Sequence, residues 1–331
     1  MTRSVEPPEQ SCAAASHASG SKTARRPAPS LPGPGGRAEH APRLVLNPHG
    51  TRRTTDEHAA GLVRDRVCGL PRLIASDLDG TLLGVGGAVS RRTAAVFREA
   101  AVAGTVVVLV TGRPIRWLPP VYEDLGAVYP TVCANGAVVY DPVADLVRDS
   151  WPVRPAILYE ACTRLRARVP DVVFAVEVDG GRGLRHEPGW PTGADFCTAP
   201  ARLDEMLARP VAKLLASCFG RNADEFAAMV TQSVGDIVEA TYSSGHAVVE
   251  MSRRGVNKAT GLAQVAAGYD VAAEDVLAFG DMPNDVSMLS WAGRSVAVAN
   301  AHPLVRAVAD EVTLSHLDDG VAAYLERLLA A

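Results

Sequence analysis

The chain is poor in several features that would decide its class at once. It has no uncharged apolar run of the roughly 18 residues that a bilayer-spanning helix needs, so no membrane segment is expected. Its six cysteines, Cys12, Cys68, Cys133, Cys162, Cys197 and Cys218, include no C-x-x-C pair. That scatter argues against a zinc site and a disulfide framework, and for free thiols in a reducing, cytoplasmic compartment. The net charge of −4 provides no basic footprint, which argues against nucleic acid as a partner. Arg25-Arg26 is not followed by an apolar stretch, so no secretion signal is read there. Apolar periodicity is nearly absent from residues 1–70, which are rich in Pro, Gly, Ala, Ser and Arg and contain the breaker cluster Pro32–Gly36. Such a segment cannot bury enough apolar surface to offset its chain entropy and is expected to be disordered.

What the sequence does have is a regular pattern from Pro71 onward. The 331 residues are 47% hydrophobic and 21% charged, ordinary values for one large or two medium globular domains. Leu73–Ala75 is a short apolar run of the kind found in a buried strand, and Asp77-Leu78-Asp79-Gly80-Thr81 follows it. Ser90 is a plausible N-cap for a helix to about Ala103, ended by Gly104. Thr105–Val110 is a β-branched run that suits a buried parallel strand, and it leads into Thr111-Gly112-Arg113-Pro114. Pro114 suits the first turn of a helix reaching about Leu125. This alternation predicts an α/β fold with a doubly wound parallel sheet. Asn135-Gly136, between Thr131–Cys133 and Val138–Tyr140, is a hairpin signal.

Residues 143–249 have a pattern of their own. Helices are expected at Pro155–Val169, Leu203–Ala208 and Ala223–Val234. Strands are expected at Val172–Val178, Arg182–His186, Val211–Phe219, Ile237–Tyr242 and Ala247–Met251. That is an α+β layer inserted into the first domain. The core then resumes through residues 250–331. Lys258 stands near the start of a helix, where an ammonium adds to the anion-attracting field of the N-terminus. Val276–Phe279 is another buried-strand run, followed by Gly280-Asp281-Met282-Pro283-Asn284-Asp285. Asp285 would stand one helical turn beyond Asp281. Carboxylates placed at strand ends resist burial unless a cation sits among them, which makes a metal site the natural reading of Asp77, Asp79, Asp281 and Asp285.

Four stretches together resemble the haloacid dehalogenase-like (HAD) phosphatases: Asp77–Thr81, Thr111–Gly112, Lys258 and Gly280–Asp285. The size and place of the insertion resemble the large cap of the Cof-type branch, subclass IIB. One departure is Ala259, where that branch commonly has glycine after the lysine. The resemblance implies a HAD-like core on residues 71–142 and 250–331 and a specificity-determining cap on 143–249. It implies a Mg²⁺ ion held by Asp77, the Asp79 main-chain carbonyl and Asp281, with Asp285 a ligand through water or an orienter. It assigns Asp77 as the nucleophile that forms an aspartyl-phosphate and Asp79 as the acid and base. Thr111, Gly112, Lys258 and Asn284 would hold phosphate, Asn135 would lie near the substrate phosphate, and Asn300 near the site. Arg113 can contact phosphate or remain solvated. His302 and His316 are expected in capping or solvated roles. The cap residues Glu177, Arg182, Arg185, His186 and Lys213 are candidates for the leaving-group pocket.

The expected activity is hydrolysis of a small phosphomonoester such as a sugar phosphate, a flavin precursor or a nucleotide. Two other readings use the same residues. A non-catalytic sugar-phosphate sensor would have lost Asp77 or Asp79, and both are present. A phosphotransferase or mutase would place the phosphoryl group on a sugar acceptor in place of water.

Overall fold

The computed structural model describes residues 69–191, 198–242 and 248–331. The expectation of disorder for residues 1–70 therefore falls almost wholly outside the described residues, as do Cys12, Cys68 and Cys197. Among the described residues, no helix is long and apolar enough to cross a membrane.

The larger unit begins with β1 (Leu73–Ser76), α1 (Arg91–Val102), β2 (Val106–Val110), α2 (Pro119–Leu125), β3 (Thr131–Cys133), β4 (Val138–Asp141) and β5 (Leu146–Ser150). The inserted unit runs through α3 (Pro155–Arg168), β6 (Val173–Val178), β7 (Gly183–His186), β8 (Thr198–Pro200), α4 (Leu203–Leu207), β9 (Lys213–Ser217), α5 (Ala223–Val234), β10 (Val238–Tyr242) and β11 (Val248–Arg253). The chain then returns through α6 (Lys258–Gly268), β12 (Val276–Gly280), α7 (Val286–Trp291), β13 (Arg294–Ala297), α8 (Pro303–Val308), β14 (Glu311–Val312) and α9 (Gly320–Leu329).

Eight strands form one sheet in the order β14-β13-β12-β1-β2-β3-β4-β5. From β14 to β3 every pairing is parallel, and the last two pairings are antiparallel. The order reverses direction between β1 and β12. That is the switch point at which α/β sheets open a crevice for ligands. β1, β2 and β12 are buried apart from the half-buried Val106, as expected for β-branched and apolar runs covered on both faces. The expected cap of α1 is present: the Thr93 amide donates to Ser90 Oγ at 3.0 Å.

Six further strands form a second sheet, β10-β11-β9-β6-β7-β8, antiparallel except between β7 and β8. Its apolar face packs on α3 and α5. Phe174, Val176, Leu214, Ala216, Val249 and Met251 meet Leu158, Leu165, Phe226 and Val230 there. Because strand side chains alternate in direction, Glu177, Lys213 and Glu250 fall on the opposite face.

The local readings needed three revisions. The helix expected from Pro114 to Leu125 is broken, because Pro119 and Pro120 carry no N–H to continue the ladder. A single 3₁₀ turn at Ile115–Trp117 precedes α2, which starts at Pro119. The sheets also divide the chain later than residues 143 and 249. β5 pairs with β4 in the larger sheet, and β11 continues to Arg253 in the smaller one. Finally, β8, a three-residue strand containing Pro200, carries too little pattern to be read from sequence.

Candidate active site

The sheet places three polar segments at one edge. β1, β2 and β12 are adjacent and in register, with Ser76 opposite both Leu109 and Phe279. Asp77, Thr111 and Asp281 each follow the last residue of one of these strands, at its carboxyl end. The Asp77 amide donates to Phe279 O at 3.1 Å, which ties the first aspartate to β12.

Asp77, Asp281 and Asp285 converge there. All three are buried, and each offers a carboxylate oxygen within 4.8 Å of the others. Lys258, the first residue of α6, is buried among them. Its ammonium donates to Asp77 Oδ1 at 2.6 Å and also to Asp285 Oδ1. Thr81 Oγ1 donates to Asp281 Oδ1 at 2.8 Å. The second oxygen of Asp285 accepts the Asp281 and Met282 amides, each at 2.9 Å, so this side chain shapes the loop that presents Asp281. Gly80, at φ +82°, lets the chain pass against the Asp281 carboxylate, where a Cβ would collide with it.

Three buried carboxylates face a single ammonium, and the ionisation equilibria show the strain. Burial pushes the Asp77 carboxyl well above its ordinary value, with the Asp285 and Asp281 charges adding to the rise and Lys258 opposing it. Burial, then Asp285, raises Asp281 to about 6. Burial alone would lower Lys258, but Asp285 and Asp77 outweigh it and hold its pKa above the ordinary lysine value. Hard oxygen donors with excess negative charge in a desolvated pocket fit a divalent cation such as Mg²⁺, which would reverse the upward shifts of the carboxylates.

This fit has a measurable consequence. Without a cation, folded Asp281 keeps a proton that the unfolded chain has already lost, between about pH 4 and about 6. Stability from this group therefore falls as pH rises through that window. A bound divalent cation removes the penalty. The thermal stabilisation produced by Mg²⁺ is expected to be larger at about pH 7 than at about pH 5. Equal shifts at both values in a melting series would count against the cluster as the binding site.

The Asp79 carboxylate is not in this cluster. It is largely exposed and lies in the guanidinium fork of Arg113, with Nε to Oδ2 at 2.8 Å and Nη2 to Oδ1 at 2.6 Å. Thr111 is buried, and its hydroxyl accepts the Arg113 amide at 3.0 Å. Asn135 is also buried, in a left-handed conformation at φ 56°. Its side chain donates to Glu250 Oε2 at 2.7 Å and to Thr241 Oγ1 at 3.0 Å, and accepts from Asn284 Nδ2 at 3.1 Å. A Cβ on Gly112 would stand 3.1 Å from Asn135 Oδ1, so Gly112 and Asn135 are direct neighbours. Asn300 donates to Gly80 O at 2.8 Å and so braces the loop after Asp77. His302 caps α8 by accepting the Leu304 amide, and its own amide donates to Asp281 O at 2.8 Å. His316 begins a 3₁₀ turn, and its amide donates to Asn300 Oδ1.

The helix-free face of the smaller sheet meets this edge. Lys213 is buried and donates to Gly112 O and to Glu250 Oε2, both at 2.9 Å. Glu177 forms a buried ion pair with Arg116, with Nη2 to Oε1 at 3.2 Å. Of the five cap candidates, Glu177, Lys213 and Arg182 thus reach the larger unit's loops, Arg182 by pairing at 2.6 Å with Asp145 between β4 and β5. Arg185 is exposed, and His186 Nδ1 lies 3.0 Å from Glu187 O. Glu250 and Arg116 were not singled out from sequence. Glu250 had a signal: a charge between Val249 and Met251 on a strand must point away from the apolar face.

The sequence model that describes a haloacid dehalogenase-like hydrolase matches residues 74–161 and 195–325. The chain belongs to this family. The 5-amino-6-(5-phospho-D-ribitylamino)uracil phosphatase YitU of Bacillus subtilis is 28% identical over 265 residues, covering 77% of this chain and 97% of that protein. The pyridoxal phosphate phosphatase YbhA of Escherichia coli is 29% identical over 272 residues, covering 77% and 97%. Among solved structures, the HAD subclass IIB sugar phosphatase BT4131 superposes with a TM-score of 0.67 at 20% identity, covering 77% of this chain and 98% of that one. That likeness establishes the fold: a HAD-like parallel core with an inserted α+β cap.

Proposed function

We propose that this HAD-family hydrolase is a Mg²⁺-dependent phosphatase of small phosphomonoesters. The observation that carries the reading is the convergence of Asp77, Asp281, Asp285 and Lys258 at the carboxyl ends of the central strands, beneath the inserted sheet. Asp77, Asp281 and the Asp79 carbonyl would hold the ion. Asp285 would act as the orienter, because one of its oxygens is taken by two amides and the other by Lys258. When bound, Mg²⁺ supplies charge neutralisation for the phosphoryl oxygens.

In this reading Asp77 attacks phosphorus, the P–O bond to the alcohol breaks, and an aspartyl-phosphate forms. Asp79 gives its proton to the departing oxygen. It then takes one from the water that attacks phosphorus and frees inorganic phosphate and Asp77. Lys258 holds Asp77 in place and balances charge on the phosphoryl group. Thr111, Gly112 and Asn284 are assigned to the phosphate, Asn135 to the substrate edge. Positioning and charge stabilisation dominate such transfers. The phosphatase names of the relatives support this class of ester. The inserted unit, from about residue 151 to Arg253, would act as the cap, with Glu177, Lys213 and Glu250 facing the leaving group.

The test is phosphate release from a panel of sugar phosphates, nucleotides, flavin precursors and pyridoxal phosphate. Turnover of at least one member with Mg²⁺, and its loss on chelation and recovery on adding Mg²⁺ back, is expected. Turnover unaffected by chelation would refute the metal-assisted reading. Phosphorylation of an added sugar in place of release would indicate a transferase.

A further inference from the structure

Asp79 is expected to work beside Asp77, yet its carboxylate is turned outward and held by Arg113. Both bonds of the fork are made, at 2.8 and 2.6 Å. The main chain of Arg113 is fixed at the tip of β2: its amide donates to Thr111 Oγ1 at 3.0 Å, and its carbonyl accepts the Ala134 amide at 3.1 Å. The Arg113 side chain is only 19% exposed, whereas that of Asp79 is 59% exposed. Arg113 is thus rooted directly after Thr111 and Gly112, and its fork is filled by a carboxylate that is itself largely exposed to solvent.

We propose that Arg113 stores the Asp79 carboxylate away from Asp77 until a phosphate arrives, then exchanges that carboxylate for the phosphate. The proposal rests on the phosphatase reading above. A guanidinium fork accepts carboxylate and phosphate with the same bidentate geometry. A phosphomonoester dianion carries the greater charge, and an exposed ion pair contributes little net stability, so the exchange favours the phosphate. The freed Asp79 carboxylate takes a proton from solvent and can then turn, as the acid, toward the leaving oxygen. Arg113 thus binds the phosphate and positions the acid, and the acid is delivered only to an occupied site.

The experiment is calorimetric titration of inorganic phosphate into the Mg²⁺-loaded full chain, for the wild type, Asp79→Asn, Arg113→Gln and the double variant. Asp79→Asn removes the competitor and should tighten phosphate binding by about two- to fivefold. In the Arg113→Gln background the same substitution should gain little, and Arg113→Gln alone should weaken binding. An equal gain from Asp79→Asn in both backgrounds would mean simple charge repulsion and would overturn the exchange, as would no gain in either. Arg113→Lys, which keeps the charge but not the fork, should recover affinity only in part. Full recovery of affinity and coupling would also overturn the proposal. If phosphate binds but the coupling is missing, only the exchange fails. If the wild type binds no phosphate with Mg²⁺ present, the exchange fails, and the phosphatase reading is decided separately by turnover of the ester panel.

Discussion

Asp77→Asn is expected to hydrolyse every ester the wild type accepts on the order of 10⁴-fold more slowly, or worse, the scale seen when a covalent nucleophile is removed. The substitution is nearly isosteric, but an amide does not attack phosphorus. The protein should remain folded. Asp77 is destabilised as a charge by its burial and by Asp285 and Asp281, so removing that charge relieves repulsion while costing the contact to Lys258. A melting temperature close to that of the wild type, together with lost turnover, separates a chemical role from a structural one. Activity within tenfold of the wild type would remove Asp77 from the mechanism.

Lys258→Met comes second, with an effect on both rate and stability. Removing one preorganised charge from a developing transition state costs about 10²–10³-fold in kcat. The same change leaves Asp77 and Asp285 buried without their shared cation. Breaking a buried ion pair by deleting one partner typically costs about 3–5 kcal/mol. Mg²⁺ binds the same carboxylates in this account. The destabilisation should therefore be largest with a chelator present and should shrink when Mg²⁺ is added. A variant equally destabilised in both conditions would mean that Lys258 and the metal do not share the site.

Much of the site could be read from residue order because its carriers follow strong local patterns. Leu73–Ala75, Thr105–Val110 and Val276–Phe279 are apolar runs that must be buried strands, and each is followed directly by its polar residues. Parallel strands in one sheet bring their carboxyl ends to the same edge, so Asp77, Thr111 and Asp281 become neighbours once the fold class is known. Lys258 stands at the start of a helix, but its place in the site follows from the resemblance of the flanking stretches. Side-chain partners across distant elements carry no such local signature. Nothing near Asp79 indicates that its carboxylate lies on Arg113, since that choice depends on the spacing of two loop tips. The Lys213–Glu250–Asn135 network joins two strands of the smaller sheet to the turn between β3 and β4 of the larger one, and only the outward direction of Glu250 was encoded locally. β5 has no reading from sequence, and its residues fall within the expected insertion, for a related reason. Its residues Leu146–Ser150 are mostly exposed, so their pattern does not say which sheet they extend.

The measurement that bears most directly on the central claim is the stereochemical course at phosphorus. It would follow the hydrolysis of an ester whose phosphorothioate group is made chiral with oxygen isotopes. Attack by Asp77 and then by water means two in-line displacements, each inverting the centre, so the account predicts net retention in the released thiophosphate. Net inversion would mean that water attacks the ester directly, and would contradict the role given to Asp77.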